Sequence, residues 1–304
     1  MNYKRHLNAI LEASGWSQER LAHELGVSFA TLNAWLRERA IPRSGALTKI
    51  ERLYLTIVGS QELDIQELEE TKLVASKIKL SASQIISSKS LLESLTLYLT
   101  YHTNTIEGST MTLADVEDVL FDSKVLSNRT ATEQAEARNH QAALSWLLDE
   151  ISMNNNLSID DELIKSIHLR LMNGIVSDAG HFRNHSVRIQ GSKTPVANWA
   201  KVPELMKGIS AEINGDTNDV IFNLAKTHAD FEKIHPFSDG NGRTGRLVLL
   251  AMALRAGLMP PIVLKERKHA YYKYLEIAQT EESYKPLELF MAESMISASE
   301  LLKK

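Results

Sequence analysis

Ile234-His235-Pro236-Phe237-Ser238-Asp239-Gly240-Asn241-Gly242-Arg243-Thr244-Gly245-Arg246 gathers a base, an acid, three glycines and two arginines into thirteen residues. An apolar run of helical length, Leu247 to Leu254, follows and ends near Gly257, so the glycines fall where a loop turns into a helix start. The free N–H groups of a first turn and the helix macrodipole both favour an anion there. Glycines let the backbone approach a phosphate that a Cβ would hold off. Arg243 and Arg246, three apart, project from one face of that turn and can fork onto further phosphate oxygens. Asp239 at the lip suits Mg²⁺ bridging phosphates. His235 has the side-chain pKa suited to taking a proton near neutrality. The implied reaction is a hydroxyl attacking a nucleotide phosphate. Each element alone is a common loop feature, and the joint pattern carries the reading. Neither the Gly-x₄-Gly-Lys-Ser/Thr spacing of a P-loop nor a strand-flanked Gly-x-Gly-x-x-Gly is present.

The 304 residues, 43% of them hydrophobic, can bury a core and have room for about two domains. No apolar run reaches the length of a membrane span, and Met1 to His6 leads straight into helical periodicity. The absence of cysteine excludes disulfides and cysteine-ligated zinc and fits a cytoplasmic location. The net charge of −4 argues against a chain that coats nucleic acid globally, yet residues 1–54 hold eight Lys/Arg and five Asp/Glu, a local +3 that leaves −7 elsewhere. A basic N-terminal module is the consequence.

The thirteen-residue run resembles the signature of Fic domains, His-x-Phe-x-(Asp/Glu)-Gly-Asn-Gly-Arg-x-x-Arg, at every specified position. That resemblance implies an all-α helical bundle with a small β-hairpin flap. It also implies an enzyme that transfers AMP from ATP to a Ser, Thr or Tyr hydroxyl of a protein. By position, His235 would deprotonate the hydroxyl and Asp239 would hold Mg²⁺. Gly240, Asn241 and Gly242 would form the anion nest, Arg243 would serve the β-phosphate and Arg246 the γ-phosphate, and Phe237 would be a packing anchor.

Upstream, Thr103-x-x-x-Glu107-Gly108 resembles the family's inhibitory motif, which implies an enzyme held off at rest by Glu107 on Arg246. The physics agrees, because a carboxylate on the guanidinium fork, expected to be bidentate, excludes a phosphate from it. Val187, Ile189 and Gly191 alternate at period two between Gly, Asn, Ser and Pro, which predicts the hairpin. In Fic proteins such a flap docks the target by strand addition, and main-chain bonding leaves the target itself unspecified.

Toward the N-terminus, residues 4–15 read as a helix that breaks at Gly15. Ser17 caps a second helix closed by Gly26, and Ser28 caps a third that buries Leu32, Trp35 and Leu36. Ser17 to Ser28 is similar to the Xre/Cro-type helix-turn-helix, which would place the helix from Ser28 to Arg39 in a DNA major groove. Phe29, Ala30 and Ala34 stand where polar base readers are expected, so a docking module without DNA affinity is the alternative.

The expected organisation is a helix-turn-helix domain at 1–58, a helical linker at 59–100, and a Fic domain at 101–304 with an inhibitory helix at about 95–108. One long helical pattern is expected from about residue 61 to Tyr101. Further helices are expected over 112–120, over 130–150 capped by Thr132, and over 160–173, 205–213, 218–233 and 287–302. His168 reads as a core histidine, His228 as a neighbour of Glu232, and Tyr271 and Tyr272 as candidate walls of an adenine pocket. Expected partners are ATP, an unidentified target protein, the chain itself through self-modification, a second copy in a homodimer, and DNA through residues 1–58, with no membrane. Two other readings use the same residues: a DNA-binding regulator whose Fic part senses nucleotide, and a de-AMPylating enzyme.

Overall fold

The computed structural model describes residues 3–59, 65–154, 156–189 and 194–303. The expected domain boundary near residue 60 and the flap glycine Gly191 lie outside these residues. Among the described residues the elements are helical. They are α1 (Tyr3–Ser14), α2 (Gln18–Leu25), α3 (Phe29–Leu36), α4 (Ser44–Ile57), α5 (Ile65–Ser76), α6 (Ala82–Ser87), α7 (Lys89–Ile106), α8 (Leu113–Leu120), α9 (Ala131–Met153), α10 (Asp161–Met172), α11 (Val202–Asn214), α12 (Val220–Ile234), α13 (Asn241–Arg255), α14 (Lys268–Glu281) and α15 (Lys285–Leu301). Single 3₁₀ turns at Trp199–Lys201 and Lys265–Arg267 precede α11 and α14. No described helix is long and apolar enough to cross a membrane.

The N-terminal module follows its caps. Ser17 accepts from the Arg20 N–H and Ser28 from the Thr31 N–H, and Gly26 closes α2 in the left-handed region at φ 69°. Leu7, Ile10, Leu21, Leu25, Leu32, Trp35 and Ile50 fill its interior. An ionic joint ties it to the rest: Arg267 donates to Glu51 of α4 at 2.5 Å and to Glu293 of α15 at 2.8 Å.

Residues 65–106 form three helices where one long pattern was expected. The breaks come at serines. Ser81 caps α6 through a reciprocal capping box with Gln84, and Ser88 caps α7. A serine hydroxyl offers the backbone an alternative to continuing the helix, so such a pattern can stop without Gly or Pro. A short antiparallel bridge fixes the first break, with Leu80 N–H donating to Gly257 C=O and Met259 N–H to Ile78 C=O. Helix α5 packs on α15 and α6 on α9, which joins the stretch expected as a linker to the helical body. Thr130, not Thr132, caps α9, because the reciprocal partner three residues on is Glu133.

At the centre lies α13, whose residues from Thr244 to Leu254 are all buried. A helix apolar on every side belongs in the middle of a bundle, and α7, α9, α10 and α12 surround it. The expected hairpin does not form among the described residues. Val187 and Ile189 lie in irregular backbone with no ladder partner. The stretch is organised by side-chain bonding, because buried Arg183 donates to the carbonyls of His185 and Ala197 on its two sides.

Candidate active site

Helix α12 ends at Ile234, and His235 follows as its C-cap at φ 53°, ψ 63°. A non-glycine residue in the left-handed region is strained, and such strain persists only where the surroundings over-determine it. Here Arg183, 3% exposed, supplies the constraint. It donates to the carbonyls of His235 at 2.7 Å and Ile234 at 3.2 Å, while its own N–H donates to Pro236 C=O at 2.9 Å. The His235 ring points Nδ1 at the Glu232 carbonyl, 3.3 Å away, so Nδ1 carries the hydrogen and Nε2 is left with its lone pair. Burial lowers the His235 pKa below its usual value, against an opposing contribution from the bond to Glu232. The ring is therefore neutral at pH 7.

The loop from His235 to Gly240 is held from inside and below. Asn241 clasps Phe237 at both ends, accepting from its N–H and donating to its C=O at 2.9 Å each. Phe237 is fully buried and stacks on His168 at 3.7 Å between ring centroids. His168 accepts from the Gly180 N–H and donates to the Asp239 C=O, both at 2.9 Å. The core histidine of the sequence reading is thus a brace for the loop. Burial lowers its pKa to about 4, so it stays neutral.

Gly240 turns the chain into α13 at φ 74°, and a Cβ there would collide with the Met172 thioether. It caps the helix without a side chain, so the first-turn N–H groups of α13 keep their capacity for an anion. Over that turn lies a carboxylate of the chain itself. A Cβ on Gly242 would overlap Oε1 of Glu107. The same oxygen accepts from Arg246 Nη2 at 2.5 Å, and Thr103 Oγ1 accepts from Arg246 Nε at 2.6 Å. Thr103 and Glu107, at the end of α7, therefore occupy two nitrogens of one guanidinium. The Glu107 contact is single where a bidentate pair was expected, because Thr103 takes the other side of the fork. Burial alone would raise the Glu107 pKa, but the Arg246 charge and hydrogen bond outweigh it and hold the group below the usual carboxylate value.

Around Arg246 the site is closed by Tyr271, whose hydroxyl lies 3.5 Å from Nη1 and 2.6 Å from His228 Nε2. Glu232 lies beneath, with Oε1 buried and unpartnered and Oε2 4.0 Å from His235 Nδ1. Burial raises its pKa to about 8, which keeps it protonated at neutral pH. Arg243 Nη1 forms an ion pair with Glu136 of α9 at 2.7 Å, and its Nη2 stands 3.9 Å from Asp239. Asp239 is the exposed member of the set: Oδ1 accepts from the Gly240 N–H at 2.6 Å, and Oδ2 has no hydrogen bond or ion pair among the described residues.

The arrangement can do one kind of chemistry well. It offers a neutral imidazole nitrogen with a free lone pair beside an amide-lined helix start with two arginines. The family model "Fic/DOC family" matches residues 158–253, which hold His168, Arg183, His235 and the whole of that helix start. The chain carries a Fic/DOC domain. Ahead of it a helix-turn-helix model matches residues 7–54. "Protein adenylyltransferase Fic" of Culex quinquefasciatus is 30% identical over 197 residues, 64% of this chain and 39% of the relative. "Protein adenylyltransferase fic-1" of Caenorhabditis elegans is 30% identical over 277 residues, 89% of this chain and 50% of the relative. The chain thus spans between 39% and 50% of these relatives' length. Among solved structures, Fic-1 (aa134 - 508) from C. elegans superposes with a TM-score of 0.65 at 24% identity, over 94% of this chain and 84% of that one. A Fic domain containing signaling protein from Bacteroides thetaiotaomicron superposes with a TM-score of 0.62 at 18% identity, over 79% of this chain and 97% of that one. Both share the fold.

His235, Asp239, Gly240, Gly242, Arg243 and Arg246, within the matched residues, converge with Thr103 and Glu107, which lie ahead of them. Gly108 follows the motif at φ 109°, where a side chain would be strained. Asn241 contributes backbone, since its amide is spent on Phe237. Val187 and Ile189 lie beside Trp199 and Arg188 in a cleft of about 690 Å³. Sequence reasoning missed Arg183 and Glu136. Arg183 sits in a turn-rich stretch, where burial of a guanidinium leaves no periodic trace. Glu136 lies on one helix stripe with Glu133 and His140, a signal legible only once that stripe is known to face the site.

Proposed function

We propose that this chain is a protein adenylyltransferase that moves AMP from ATP to a hydroxyl of a protein and is held off by Glu107. The observation that carries this reading is the free Nε2 of a neutral, clamped His235 next to the α13 helix start. The names of the relatives support the same activity. On this reading the nucleotide's phosphates lie over Gly240, Asn241 and Gly242, with Arg243 on the β-phosphate and Arg246 on the γ-phosphate. The acceptor oxygen forms a bond to the α-phosphorus and the α–β phosphoanhydride breaks. His235 Nε2 takes the hydroxyl proton, and pyrophosphate leaves into the arginine cradle. General base catalysis contributes about 10²–10⁴-fold, with the rest from positioning and fixed charge.

A hard cation fits the lip. Asp239 offers a free, exposed oxygen, while no described cluster of three or more His, Cys, Asp or Glu could bind a metal by itself. One carboxylate plus phosphate oxygens is how Mg²⁺ is commonly held, so Mg²⁺ arriving with ATP would neutralise the α- and β-phosphates there.

Residues 1–58 form, on this reading, a helix-turn-helix unit joined by 59–100 to the Fic domain of 101–304. A DNA contact is supported by exposed Arg37, Arg39 and Arg43 after α3. The decisive experiment incubates the Glu107→Gly variant with α-labelled ATP, with and without His235→Ala. Incorporation should vanish with His235→Ala while ATP binding stays nearly intact. Undiminished incorporation would remove His235 as the base and the mechanism with it.

A further inference from the structure

Both cradle arginines carry a carboxylate partner in this structure, and the two partners are built differently. Glu107 is the C-cap of α7, its side chain is 31% exposed, and it lies over the backbone that a phosphate would approach. Glu136 comes from the second turn of α9, behind the cradle, with its side chain 19% exposed. The turn that bears it is fixed on both sides. Glu133 accepts from the Thr110 N–H at 2.7 Å and from the Thr130 N–H at 3.1 Å, and His140 Nδ1 pairs with Thr100 of α7 at 2.8 Å. Glu136 is thus carried on a turn of α9 that its neighbours anchor, whereas Glu107 sits at the end of α7.

Arg243 is 4% exposed, and its Nε is buried without a partner. A buried guanidinium needs a counter-charge and satisfied donors. Glu136 supplies the charge through Nη1 alone and leaves Nε and Nη2 unspent. Among the described residues no hydrogen bond uses those donors, and the Nη2 side meets only Asp239 at the lip, 3.9 Å away. The incomplete pairing has the form of a fork held by one tine.

We propose that Glu136 is a positioning residue for the phosphate cradle: it grips Arg243 by Nη1 so that the remaining donors of the guanidinium face the nucleotide's phosphates. The inference rests on the adenylyltransferase reading and adds a residue outside the family signature. Glu136 acts through Arg243 and, unlike Glu107, stays in place when nucleotide binds.

The test uses the full chain carrying Glu107→Gly, with binding of a non-hydrolysable ATP analogue read by calorimetry and AMP transfer read from labelled ATP. Adding Glu136→Gln, which keeps the shape and removes the charge, should weaken analogue binding about tenfold. Glu136→Asp, which withdraws the carboxylate by one methylene, should give a smaller loss. In an Arg243→Ala background the Glu136→Gln change should cost less than roughly twofold, because a residue that acts through another has nothing left to act on. Thermal melts of the same samples confirm that each variant is folded. Unchanged binding in Glu136→Gln, or an equal loss with and without Arg243, overturns the inference while transfer by the parent leaves the adenylyltransferase reading standing. A rise in transfer when Glu136→Gln is made with Glu107 intact would make Glu136 a second restraint and also overturn it. A parent that neither binds the analogue nor transfers AMP sinks both.

Discussion

Replacing Glu107 by glycine frees Arg246 of its carboxylate, and the size of the effect follows from what is broken. The bond from Nη2 to Oε1 is 2.5 Å long, and Arg246 is 6% exposed. Hydrogen bonds to charged groups contribute about 1.5–3 kcal/mol, and the partial exposure of Glu107 places this one near the lower end. A competing γ-phosphate must displace that contact, so its loss translates to roughly 10–30-fold in apparent ATP affinity. Glycine also uncovers the backbone beside Gly242, which the carboxylate now overhangs. AMP incorporation at low ATP, followed by intact mass and by α-labelled nucleotide, should therefore rise about tenfold or more. The gain should shrink as ATP is raised toward saturation. ADP, which cannot reach Arg246 with a γ-phosphate, should gain less affinity than ATP. Equal incorporation by the wild type and the variant at every ATP concentration would refute the restraint, whatever the distance between the two side chains.

Several other outcomes are open to measurement. Transfer by the Glu107→Gly variant should rise with pH as His235 loses its proton, and because burial lowers that pKa the acid limb should lie below pH 6.5, with a plateau above it. A midpoint above 7 would contradict the neutral imidazole. Glu232 is more basic folded than unfolded, so it withdraws stability as pH rises from about 4.5 to about 8. Glu232→Gln should raise the melting temperature at pH 9 and change it little at pH 4, and a uniform shift would show that burial of the charge is not the cause. Arg267→Ala leaves Glu51 and Glu293 buried without their shared cation and should cost about 3–5 kcal/mol in denaturant unfolding. If residues 1–58 contact DNA, binding to genomic fragments should fall steeply with salt and vanish when they are deleted. Salt-independent retention would argue for another role.

Much of the site was legible in the sequence because its chemistry is local. His235, Asp239, Gly240, Gly242, Arg243 and Arg246 lie within twelve residues on one loop and one helical turn, so their mutual placement is fixed by backbone geometry and by the glycine conformations it demands. The caps at Ser17 and Ser28 were readable for the same reason, each being a bond across three residues. Contacts across the fold left no such trace. Arg183 reaches carbonyls 51 and 52 residues away, and nothing in its neighbourhood distinguishes it from a solvated turn arginine. The three-way split of residues 65–106 was hidden because serine is tolerated inside a helix and also starts one; at the first break the choice is made by the bridge to Gly257 and Met259, at the second by the Ser88 cap. The alternation at Val187 and Ile189 described the residues correctly, but a strand exists only with a partner ladder, which the chain does not itself supply among the described residues.

On the adenylyltransferase reading, that missing ladder bears on how a target would be selected. The cleft beside the flap is lined by Arg188, Val187, Ile189 and Trp199, and Trp199 is 43% exposed. A peptide pairing with the main chain of the flap would gain register from backbone bonds and would place alternate side chains against the indole and the guanidinium. The backbone of His235, the base on this reading, is held by Arg183, and Arg183 also bonds Ala197 and His185 on either side of the flap. One buried cation would then set both the base and the rails that carry the hydroxyl to it. Arg183→Lys, which keeps the charge and loses the fork, should on this argument depress transfer through both acceptor affinity and turnover while leaving ATP binding near its original value. A loss confined to ATP affinity would show that Arg183 serves the loop under the phosphates and not the approach of the acceptor.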